Sequence, residues 1–114
     1  MSEGEWVGRA SIDDLVDQYH EALKRAAKAN AEEAAADDNR KIIRAELMVK
    51  CGDIAVTKAE NVAMASADYK AAVADCREAR KEAEEARAEV EWLKTRFEAW
   101  RTKTSAQKAR LQHG

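Results

Sequence analysis

The sequence predicts an all-α fold: an antiparallel two-helix hairpin with a long coiled-coil second helix, assembling into a dimeric helical bundle. Three observations predict it. Ala, Glu, Lys, Leu and Arg make up 64 of the 114 residues, the composition of long helices and coiled coils. Proline is absent and there are four glycines, too few for a sheet built on tight turns. From Val62 onward, apolar residues recur every seven positions, a period that belongs to helices wound on a partner.

Residues 1–10 show no periodicity and carry Gly4, Trp6 and Gly8, so they read as a flexible N-terminal arm. Ser11 precedes Ile12, Asp13 and Asp14. A serine cap with acids at the positive end of the helix dipole is a start signal. Ile12, Val16, Tyr19, Leu23 and Ala26 then follow at helical spacing, and Ile43, Leu47 and Cys51 resume the pattern. The first helix is expected over 11–50, with a kink near Asp37-Asp38-Asn39. Lys50-Cys51-Gly52 ends it, a cation in the last turn before a glycine suited to the left-handed cap.

Thr57-Lys58-Ala59-Glu60 fits a capping box, which makes 51–57 the turn and 58–111 the second helix. At 1.5 Å per residue the helices span roughly 60 and 80 Å, and so short a turn sends the second back along the first. One heptad row of the second helix is Val62, Tyr69, Cys76, Ala83, Val90, Phe97, Thr104 and Leu111. The other is Ala65, Ala72, Ala79, Ala86, Leu93, Trp100 and Gln107. Alanine offers little apolar area to bury, so a lone hairpin is poorly supplied with core. That shortage predicts a homodimer, with Tyr69, Val73, Val90, Leu93 and Phe97 as its oligomerisation residues. Residues 112–114 form a tail.

Composition also excludes functions. No apolar run reaches membrane-spanning length, and the start, MSEGEW, lacks the basic and apolar regions of a signal peptide. Cys51 and Cys76 stand alone, without metal-ligand or redox spacing. A cytoplasmic protein with no cofactor is the expectation. Catalytic constellations are missing too. His20 reads as a surface or interface side chain, His113 lies in the tail, and the many carboxylates are explained by pairing along solvated helix faces. An enzyme is not expected.

One segment carries more. From Lys94 to Arg110 there are six basic residues and one acid, Glu98, on a chain whose net charge is −2. If residue 58 lies opposite residue 50, residue 97 falls opposite residue 11, and the remaining turns overhang. Trp92 lies off the heptad rows, where a large ring needs something to pack on. Aromatic and arginine side chains are frequent interface anchors. Trp92, Arg96, Trp100, Arg101 and Lys103 are therefore the candidate partner-binding residues. The alternative is nucleic-acid binding through Lys94, Arg96, Arg101, Lys103, Lys108 and Arg110, cations that can hold phosphates beside stacking rings.

Over about residues 40–108 the chain resembles small Ala, Glu and Arg-rich helical-hairpin proteins of bacteriophage and prophage genomes, often encoded near recombination genes. The resemblance rests on the basic end of the first helix, the Cys51-Gly52 turn, the Tyr69 heptad and the closing Val90-x-x-Leu93-x-x-x-Phe97-x-x-x-Arg101 run. It implies a non-enzymatic interaction protein docking on a protein partner. That partner would belong to phage DNA replication or recombination, or to a host defence complex that the protein inhibits.

Overall fold

The computed structural model describes residues 9–113. Three helices account for nearly all of them: α1 over Arg9–Lys50, α2 over Val56–Ala65 and α3 over Ala67–His113. No strand occurs among the described residues. The fold is all-α.

α1 begins two residues ahead of Ser11, so the expected serine cap lies inside the helix. Trp6 and most of the expected arm fall outside the described residues. The buried stripe of α1 is also displaced from its sequence expectation. Ile12, Leu15, Tyr19, Ala22, Ala26, Ala29, Glu33, Ala36, Arg40, Ile43 and Leu47 are buried or half-buried, alternating steps of three and four. Val16 and Leu23, expected on this face, are 47% and 44% exposed. Alanines occupy the stripe in their place, because small side chains let two helix backbones approach closely. The helix passes Asp37-Asp38-Asn39 without interruption.

α1 stops as the sequence suggests. The amide of Cys51 donates to the Met48 carbonyl at 3.1 Å and that of Gly52 to the Val49 carbonyl at 3.2 Å. Gly52 turns the chain with φ of +69°, a conformation that costs other residues dearly. The turn is shorter than expected, because α2 starts at Val56 behind an Ala55 that offers no side-chain cap. The capping box does not form. Thr57 lies within α2, and Glu60 is committed to Arg44 at 3.1 Å.

The second helix is in fact two. Ser66 has extended backbone geometry, with ψ of 150°. Its amide donates to the Ala63 carbonyl at 3.1 Å, closing α2. Its hydroxyl accepts the Tyr69 amide at 3.1 Å, opening α3 with Asp68 in the first turn. One residue thus ends one helix and caps the next. The heptad therefore holds only on α3. There the alternating stripe from Tyr69 to Thr104 is buried or half-buried throughout. On α2 the buried residues are Ala59 and Ala63, whereas Val62 is exposed.

The chain divides into two compact units, Met1–Ala26 with Ala86–Gly114, and Ala27–Glu85. In the first, Leu15, Ala22 and Leu93 form a buried cluster, with Ile12, Tyr19, Val90 and Phe97 packed on it. Arg25 pairs with Glu89 across the two helices, and Val16 and Tyr19 share a groove with Lys94, Phe97 and Glu98. Rising numbers on α1 meet falling numbers on α3. In the second unit the Cys76 thiol donates to the Ala36 carbonyl at 3.2 Å, and Arg40 donates to the Tyr69 hydroxyl at 3.1 Å. The same antiparallel sense follows.

Candidate partner surface on α3

Every candidate residue lies on α3, so a single helix dictates their mutual placement. The stripe of α3 separates them into groups. Lys94, Arg101 and Lys108 recur every seven residues along one flank, and Arg96, Lys103 and Arg110 along the other. Trp92 stands beside Arg96, one helical turn away. It is 59% exposed, and the Arg96 guanidinium lies 4.9 Å from the ring centroid. That is a cation–π contact, which holds a flat aromatic and arginine surface outward. Trp92 is not among the residues packed on the buried cluster.

Trp100 belongs to the stripe instead. It is half-buried, its ring 5.9 Å from that of Phe97 at an interplanar angle of 39°. Its indole N–H is buried without a hydrogen-bond partner. A group in that state carries an unmet demand for an acceptor. Arg101, on the far flank, pairs with Glu98 at 3.5 Å. The five expected partner residues are therefore divided: Trp92, Arg96 and Lys103 share a flank, Trp100 sits in the stripe, and Arg101 lies opposite.

The six cations of the alternative reading form the two flanking rows. From Ala99 to His113 there is no acid. Ser105 to Gln112 are exposed throughout, including the stripe positions Gln107 and Leu111. From Ser105 the end of α3 is thus an exposed helix face bordered by cations on both sides, whereas Trp100 and Thr104, also expected to overhang, are half-buried. Hydroxyls of Thr95, Thr102 and Thr104 return to carbonyls four residues back, at 2.9 to 3.0 Å. They satisfy themselves within the helix.

The expected oligomerisation residues are used differently. Leu93 is 2% exposed, Val90 and Phe97 pack on its cluster, and the Tyr69 hydroxyl is held by Arg40. Val73 is half-buried. Tyr69, Val90 and Phe97 meet α1 of the same chain and remain half-buried.

Among the described residues no group of three or more His, Cys, Asp or Glu could hold a metal ion. Cys51 and Cys76 are free thiols. No described helix is long and apolar enough to cross a membrane.

Sequence reasoning missed one polar network, in the second unit. Asp37 accepts from Arg40 at 2.9 Å and from Lys41 at 3.2 Å, while Arg40 also reaches Tyr69. The hydrogen bond from Arg40 is the chief cause that holds the Asp37 carboxyl below the usual carboxylate range. The same bond raises Arg40. The only available signal was charge spacing along α1, which long helices show everywhere.

No protein-family model, no curated protein and no solved structure matches the chain.

Proposed function

We propose that this chain is a non-enzymatic, cytoplasmic interaction protein, a helical hairpin that docks on a protein partner through the outer face of α3. One observation carries the reading. Trp92 stands exposed on a helix whose buried stripe is complete without it, with Arg96 across its ring. Exposing an unused indole costs solubility, and aromatic–arginine pairs are common interface anchors. Lys103 extends the same flank, so an acidic surface suits it best. Following the phage resemblance, the partner would be a replication or recombination protein, or a host defence complex being inhibited.

A second reading has its own support. The acid-free end of α3, with Lys94, Arg101 and Lys108 on one side and Arg96, Lys103 and Arg110 on the other, suits a nucleic-acid backbone. One experiment separates the two. The immobilised chain, and its Trp92→Ala, Arg96→Ala, Arg101→Ala variant, are exposed to bacterial lysate with and without nuclease. A partner held by the first, lost by the second and indifferent to nuclease supports protein docking. Capture that vanishes with nuclease, and weakens by orders of magnitude between 50 and 200 mM salt, supports the nucleic-acid reading. Equal capture by both chains removes the site.

A further inference from the structure

We infer that two copies of this chain pair through antiparallel α1 faces, Leu23 of each copy filling the groove that Val16, Tyr19 and Phe97 form in the other. The groove is about 290 Å³, and Lys94 and Glu98 complete its lining. It lies on the opposite flank of the stripe from Trp92, Arg96 and Lys103, the flank that Lys94 and Arg101 share. Val16 and Leu23 are seven residues apart on that flank and nearly half exposed. His20, between them, is exposed as well. In a chain with 42 charged residues among 114, this strip of α1 carries no Asp, Glu, Lys or Arg at positions 16, 20 and 23. It forms a second apolar strip beside the one already covered.

The occupant follows from charge and symmetry. A two-fold contact brings a surface against itself, so its charges must complement themselves. With the axis through His20, Asp17 lies three residues before it and Lys24 four residues after it. Asp17 of each copy then lies within one residue of the level of Lys24 of the other, on the margin of the contact, and Val16 within one residue of the level of Leu23. A parallel pairing would instead set Asp17 on Asp17 and Lys24 on Lys24. Lys24 also contacts Glu21 at 3.5 Å, and its ammonium retains further donors for the second copy. The fold supplies the remaining argument. Among the described residues the buried ones are eight alanines and two leucines, and alanine contributes little apolar area. Seating Leu23 against Val16, Tyr19 and Phe97 adds the large side chains that a single chain leaves uncovered.

Sedimentation of the full chain between 10 and 100 μM tests this, together with two variants. The unmutated chain is expected to be a dimer. Leu23→Glu, at a half-exposed position, should keep its helical circular dichroism and raise the dimer dissociation constant by roughly tenfold or more, the equivalent of about 1.4 kcal/mol. With an added thiol oxidant, and with Cys51→Ala and Cys76→Ala to remove the native thiols, His20→Cys should form a disulfide between copies that peptide mass mapping assigns to residue 20 in both. A single-copy mass for the unmutated chain overturns the inference. So does a Leu23→Glu variant that dimerises equally well, or a dimer in which residue 20 never links to itself.

Discussion

Leu93 shows how much of this molecule rests on few side chains. It and Leu15 are the only large residues among those buried in the described structure, and the rest are alanines. Truncating a buried leucine costs about 2–5 kcal/mol, a large share of the stability of any small domain. Leu93→Ala is therefore expected to lower the urea midpoint sharply; a midpoint within experimental error of the parent would show that this cluster does not hold the fold. Asp37 gives a second prediction, set by pH. Its carboxyl titrates lower in the folded chain because Arg40 and Lys41 hold the charged form. Its stabilising effect is then present above about pH 4, the ordinary aspartate value, and is lost as pH falls through the lower folded-state value. Asp37→Asn should be less stable than the parent at pH 7, and the difference should shrink towards zero on acidification. A gap that widens on acidification would contradict the assignment.

At the scale of elements, Ser66 decides where the second helix divides. Ser66→Ala removes the hydroxyl that accepts the Tyr69 amide, at a cost of about 1 kcal/mol. Thr57→Ala, at the capping box that does not form, should change the melting temperature little. The reverse ranking in a thermal melt would restore the capping box and dismiss the break. The sequence held the Ser66 signal, a serine followed by Asp68, but the heptad ran through it with Val62 and Ala65 apparently in phase. Periodicity and capping disagreed there, and the local hydrogen bonds prevailed. The end of α1 was legible because Lys50, Cys51 and Gly52 all point the same way. The inward face of its first turns was not. Val16 and Leu23 look like core residues by size, whereas close helix packing selects Ala22, Ala26 and Ala29. On α3 the spacing was clear from Tyr69 to Thr104, since no competing phase offered larger residues.

At the scale of the whole molecule, α3 presents two different faces. Its inner stripe is occupied by packing within each unit, and its outer flanks carry Trp92, Arg96 and the two rows of cations. The off-stripe tryptophan and the charge asymmetry were visible in the sequence. The separation of Arg101 from Trp92 became clear only once the stripe between them was fixed. The measurement that tests this division most directly compares two variants in the same pair of assays, thermal melting and partner capture. Trp92→Ala with Arg96→Ala and Arg101→Ala is expected to melt within a few degrees of the parent, since surface changes usually stay within about 0.5 kcal/mol, and to lose the partner. Leu93→Ala is expected to melt well below the parent while its folded fraction still captures the partner. If the triple variant instead melts as low as Leu93→Ala, or captures the partner as the parent does, the outer face of α3 is not the docking surface.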